Sequence, residues 1–244
     1  MSGHSKWSTI KRKKEKTDQQ RAKVFTKIGR ELAMVAKAGG PDPNVNAKLR
    51  DVIAKAKAAN VPNDNIERII KKAAGGEDNS EYEEIVYEGY GPSGVAVIVE
   101  ALTDNRNRTA GDLRHYFDKF GGNMGQPGSV MFQFSRKGVI AVEAEGKDED
   151  SVMMAALEAG AEDFTSDGDV FEISCDPNDL SAVRDGIEAA GIPYLSAEVC
   201  YVPSVTVSID EEDAVTKMEK LLDILEENDD VQNVWHNWDM PEEE

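Results

Sequence analysis

The densest chemistry in this sequence is a run of cations with one aromatic among them: Lys6, Trp7, Lys11, Arg12, Lys13, Lys14 and Lys16. Ammonium and guanidinium groups at this density neutralise phosphates, and an indole among them can stack on a base. Arg21, Lys23, Lys27, Arg30 and Lys37 continue the series. At about 100° per residue, Lys23, Lys27, Arg30 and Lys37 share a helix face opposite Val24, Phe25, Ile28, Leu32 and Val35. The pattern points to a polyanionic ligand contacted by the first part of the chain.

A second constellation is Thr103-Asp104-Asn105-Arg106-Asn107-Arg108-Thr109, placed between a strand pattern and a helix pattern. The N–H groups of a helix start and two guanidiniums suit a phosphate. The competing reading is equally open: an Asp or Asn caps the helix while Arg106 and Arg108 pair with acidic neighbours. The glycine-rich stretch Gly121-Gly122-Asn123-Met124-Gly125-Gln126-Pro127-Gly128 either approaches a ligand closely or turns the chain. Arg106, Arg108, Gly121, Gly122 and Asn123 therefore form a candidate second surface.

Other motifs lead away from catalysis. Gly89-Tyr90-Gly91-Pro92-Ser93-Gly94 matches the dinucleotide fingerprint, but Val95–Val99 after it reads as a strand, where the fingerprint needs a helix start. It is read as a hairpin loop. His4, His115 and His236 are scattered, and Cys175 and Cys200 lie in neither metal nor nucleophile spacing. No enzyme activity, metal or cofactor is expected. Trp235 and Trp238, among acids, read as core.

The elements that must position these residues follow from charge and period. The chain has 244 residues and a net charge of −19, which alone would argue against a nucleic-acid partner. The average conceals a step: Met1–Gly75 carries 18 basic and 7 acidic residues, and the remainder carries 10 and 40. A cationic head on an anionic body points to an anionic partner for the head. With 40% hydrophobic and 31% charged residues the chain can bury a core. Its apolar runs are too short to span a membrane, the start reads as no secretory signal, and two cysteines suit a reduced cytoplasmic protein.

Residues 1–17 are too charged to offset their ordering entropy and read as a flexible basic arm. Amphipathic helices are expected to Ala38, over Val45–Ala59, and from Pro62 to the Gly75-Gly76 stop, making a bundle over 18–76. The period then switches. Strands are expected at Tyr82–Glu88, Val95–Thr103, Val130–Phe134, Gly138–Glu143, Asp169–Cys175, Ala197–Val202, Ser204–Ile209 and Asp230–Trp238. Helices are expected at Thr109–Phe120, Asp148–Ala159, Asn178–Ala190 and Glu211–Glu227. The layout is α+β and multidomain: the three-helix bundle, then two ferredoxin-like α/β domains, with 136–203 inserted into 77–135 plus 204–244.

Several motifs together resemble the YebC/PmpR family: Ser2-Gly3-His4-Ser5-Lys6-Trp7, Gly39-Gly40-Pro41-Asp42-Pro43, Asn44 to Asn46, Pro62-Asn63-Asp64-Asn65-Ile66, Tyr87–Pro92, Thr103–Thr109 and Gly128-Ser129-Val130. The similarity covers the whole chain, with modest departures at Ser8-Thr9 and Met131-Phe132-Gln133. It implies a helical bundle and two α/β domains, the last inserted into the middle one. It also implies a regulator of gene expression, described in the family as a DNA-binding transcriptional regulator. A mitochondrial relative is described as a translational activator of a cytochrome oxidase subunit, and some bacterial members as ribosome-associated factors relieving stalling.

The expected function is a cytoplasmic, monomeric, nucleic-acid-binding regulator. Its partner is promoter DNA or, alternatively, ribosomal RNA on the ribosome; a small-ligand sensor is a third class. All nucleic-acid readings place the arm and bundle on the polyanion and the acidic body away from it.

Overall fold

A computed structural model describes residues 18–76 and 81–240. The bundle consists of α1 (Asp18–Gly39), α2 (Ala47–Ala58) and α3 (Asn63–Ala74). Ile28, Leu32, Val35, Leu49, Val52, Ala56 and Ile66 close its core. Gly29 lets α3 approach α1: a Cβ there would stand 3.3 Å from Ile69 Cδ1. Asn46 joins α1 to α2. Its side-chain oxygen accepts from Leu49 N at 3.1 Å, capping α2, while its amide donates to Val35 O and Gly40 O, both at 2.9 Å.

Two antiparallel sheets follow. The first takes β1 (Glu83–Tyr90), β2 (Ala96–Thr103), α4 (Arg106–Lys119) and β3 (Asn123–Met124) from before the insertion. It takes α7 (Glu212–Glu227) and β8 (Val231–His236) from after it, with strand order β3-β1-β2-β8. Trp235 and Trp238 are buried here. The second runs β4 (Phe134–Glu143), α5 (Glu149–Glu158), β5 (Asp163–Asp167), β6 (Val170–Cys175), α6 (Leu180–Ala189) and β7 (Ser196–Pro203). Its order, β5-β6-β4-β7, is ferredoxin-like, with Ile140, Val142, Phe171 and Ile173 packed under α5 and α6. Among the described residues, Gln133–Thr206 belongs to one compact unit, while the bundle shares the other with the first sheet.

Five elements depart from the sequence reading, the short strand β3 in the glycine-rich stretch among them. Val130–Phe134 is no strand: Met131–Gln133 is a 3-10 turn, and the strand runs Phe134–Glu143. The amides of Val130 and Met131, which a ladder would need, go to the Glu88 carboxylate instead. Ser204–Ile209 makes only an isolated bridge, Val207 to Trp238, and leaves Val205 exposed. Strand β5 was not expected because Asp163–Asp167 is polar apart from Phe164. Helix α4 starts at Arg106, three residues before the expected Thr109, because Asn105 takes the cap position.

Replacing Asn46 with Ala removes a helix cap and strands two carbonyls together. The expected loss is about 2 kcal/mol of unfolding free energy, read as a lower urea midpoint.

Candidate nucleic-acid interface

The cationic face of α1 does not stand open. Lys23 Nζ donates to Glu227 O at 3.1 Å and Lys27 Nζ to Glu226 O at 2.7 Å. Arg30 donates to Asp229 O at 2.7 Å and to Asp230 Oδ1 at 3.0 Å, and lies over the Tyr82 ring. The acceptors are the end of α7 and the turn after it. Helix α7 has no basic residue in its last turn, so its unsatisfied carbonyls and partial negative charge are met by cations from α1. Lys23, Lys27 and Arg30 therefore have partners within the chain, and a phosphate bound by them would have to displace oxygens they already hold. Lys37 is exposed in the last turn of α1. The arm residues Lys6, Trp7, Lys11, Arg12, Lys13, Lys14 and Lys16 lie outside the described residues, as does the side chain of Arg21.

Asp230 is the centre of the joint. It is 5% exposed and takes Arg30 on one oxygen. On the other it takes Arg108 Nη2 at 2.7 Å, Thr109 Oγ1 at 2.8 Å and Thr103 Oγ1 at 3.3 Å. Burial alone would raise its pKa, but the bonds from Arg108, Thr109 and Arg30 outweigh it and hold the carboxyl below its ordinary value. The Thr103–Thr109 segment is thereby explained. Asn105 Oδ1 caps α4 by accepting from Arg108 N at 3.1 Å, and Arg108 also pairs with Asp104 at 2.9 Å. Of the two open readings for Arg108, pairing with acids is the one the geometry realises. Arg106 stays exposed.

The Gly-x-Gly-x-x-Gly segment is a hairpin loop between β1 and β2, as its sequence context required. The glycine-rich loop after α4 is built onto β1. Gly122 lies so close to Tyr90 that a Cβ would come within 2.3 Å of its carbonyl oxygen. Asn123 begins the short strand β3, pairing with Tyr90. Gly128 has φ +87°, and its amide, with those of Val130 and Met131, donates to buried Glu88 at 2.6–2.8 Å. Burial works to raise the Glu88 pKa, but the three amides lower it on balance. Gln126, Pro127 and Phe132 are left exposed beside this fixed backbone. Gly121, at the end of α4, and Asn123 are also exposed; Arg108 is held elsewhere, by Asp230.

Helices α2 and α3 also carry cations that face solvent: Lys48, Arg50, Lys57, Arg68, Lys71 and Lys72 are all exposed. Lys48, Arg50 and Lys57 were not among the residues that the sequence reading named as contacts. A helical wheel of α2 would have found Arg50 and Lys57 away from the Leu49, Val52 and Ala56 face, with Lys48 at its edge.

Residues 5–76 match the model of the TACO1/YebC protein N-terminal domain, and residues 82–238 that of the TACO1/YebC second and third domain. The chain belongs to the TACO1/YebC family. It is 61% identical over 239 residues to a "Probable transcriptional regulatory protein" of Acetivibrio thermocellus, covering 98% of this chain and 99% of the relative. It is 60% identical over 243 residues to a protein of the same description from Caldicellulosiruptor saccharolyticus, covering 99% and 100%. The crystal structure of a conserved hypothetical protein from Aquifex aeolicus superimposes with a TM-score of 0.84 at 46% identity, covering 93% and 94%. The TACO1/YebC assignment agrees with the α+β layout, a helical region followed by two sheets with helices. Among the described residues, no helix is long and apolar enough to cross a membrane.

Two outcomes follow for the joint in this TACO1/YebC chain. Asp230→Ala removes the carboxylate shared by Arg30, Arg108 and Thr109 and is expected to cost about 3 kcal/mol in urea unfolding. Asp230 and Glu88 are both held below their ordinary pKa, so their stabilisation is complete above about pH 5 and is lost as pH falls through their folded values. Unfolding midpoints of Asp230→Asn and Glu88→Gln should therefore converge on the parent's as the solution is acidified.

Proposed function

We propose that this chain is a non-catalytic, nucleic-acid-binding regulator of gene expression, a DNA-binding transcriptional regulator working through its basic arm and bundle in the cytoplasm. The observation that supports it most is the charge step, together with exposed cations on α2 and α3 where α1 has its own intramolecular partners. Phosphate neutralisation releases counterions and supplies affinity, while the acidic remainder repels the polyanion and leaves one face to bind. The names of the TACO1/YebC relatives, "Probable transcriptional regulatory protein", favour DNA. Helix α3 follows α2 after a short link, as a helix entering a major groove would, and Asn63 is exposed at its start.

A second reading, ribosomal RNA, is favoured by one specific observation. Arg68 of α3 donates to Asn65 Oδ1 at 3.1 Å, so part of this guanidinium is engaged within the helix instead of being wholly open to base edges. What remains on α2 and α3 is mostly lysine, which suits shape and phosphate recognition.

Contacts to about six phosphates give a slope of log K against log[salt] near −5 on duplex DNA. Lys71→Glu with Lys72→Glu should reduce that slope by about 2, and deleting residues 1–17 should reduce it further. Affinity independent of salt, or unaltered by the deletion, defeats the proposal. Crosslinking in cells followed by sequencing separates the targets: promoter DNA supports the first reading and ribosomal RNA the second.

A further inference from the structure

The bundle carries a groove that phosphate contacts alone leave without a use. It lies between α2 and α3, measures about 730 Å³, and has Ile53, Ile66, Ile70 and Ala74 along it, with Pro41 and Pro43 at one side. Ile53 and Ile70 are only half-buried, so apolar surface stays open between two net-cationic helices. The opening has a local cause. Pro41-Asp42-Pro43 cannot continue α1 across it, and α3 stops at Gly75.

Charge identifies the occupant. Lys57 and Lys71 line the groove and are exposed, against one lining carboxylate, Glu67. Arg50 adds an exposed cation on the Lys57 side of α2, while Lys48 and Lys72 are exposed on the faces of α2 and α3 turned away from the groove. A ligand suited to this place is apolar and flat in its middle and anionic on both sides, with charge continuing past the groove. A strand of nucleic acid with one base turned out of its stack has that character; an acidic peptide has charge at a few positions only. A base within a stacked duplex presents only its edge and cannot enter.

Resting on the nucleic-acid reading above, we infer that the groove between α2 and α3 takes an unpaired nucleobase, with Lys57 and Lys71 on the flanking phosphates. The base gains from leaving water for the isoleucine surface, the apolar counterpart of aromatic stacking. The site would give the protein a preference for melted, looped or single-stranded segments over continuous duplex.

The test uses the full chain and two labelled single-stranded oligonucleotides of equal length, one with all bases and one with a central run of abasic sites. In fluorescence anisotropy the abasic strand should bind the parent protein about tenfold more weakly, although its phosphates are the same. Ile70→Ser, at a half-exposed position, should bring the complete strand down to the abasic level and leave the abasic strand unaffected. Ile53→Ser should do the same if Ile70→Ser does not fold by circular dichroism. Equal binding of both strands by the parent, or discrimination that survives both substitutions, overturns the inference. So does Ile70-dependent binding of a Glu-rich amphipathic peptide with no response to abasic sites. Salt-dependent binding without base discrimination sinks the groove alone, whereas no binding of either strand sinks the nucleic-acid reading as well.

Discussion

A single buried carboxylate sets the arrangement of the bundle and the first sheet. Asp230 sits in the turn between α7 and β8 and gathers Arg30 from the bundle, Arg108 and Thr109 from the start of α4, and Thr103 from the end of β2. A buried ion of this kind is tolerated only when its lone pairs are filled, and here they are filled from three directions. Carbonyls at the end of α7 take Lys23 and Lys27, and the Asp229 carbonyl in the same turn takes Arg30. The bundle is thereby tied to the body by the cations that a sequence reading assigns to a phosphate backbone. What faces outward is decided by that tie: α2, α3 and the groove between them.

The glycine-rich loop obeys the same physics with the roles reversed. Glu88 is a buried anion whose partners are backbone amides, so the carboxylate fixes the loop from Gly128 to Met131. Tyr90 Oη, donating to Ser129 O at 2.9 Å, holds it from a second strand position. Gln126 and Phe132 stand exposed on this fixed backbone.

Much of this was legible in the sequence, and the failures are instructive. The 3.6-residue period of Ile28, Leu32 and Val35 located α1, and the strand after Gly94 excluded a dinucleotide site at the hairpin. The β-α-β-β-α-β count exposed the inserted domain even with β5 hidden by its polar residues. The partners of α1 were not legible. A helical wheel tells which residues share a face, but not what lies across from it, and Asp230 is one acid among 47 Asp and Glu. Arg30 and Asp230 are 200 residues apart, and nothing local marks them as a pair. The groove was hidden for a related reason: Ile53 and Ile70 read as core by periodicity, and only packing leaves them half open.

On the proposed reading, α2 and α3, not the cationic face of α1, meet the nucleic acid while the Asp230 joint stays closed. Hydrogen–deuterium exchange of the full chain with and without a saturating polynucleotide tests this most directly. The account predicts slower exchange over residues 47–76 and unchanged exchange over 226–231. Faster exchange over 226–231, with none of the slowing in α2 and α3, would mean that α1 lets go of the body to take the strand, and would contradict it.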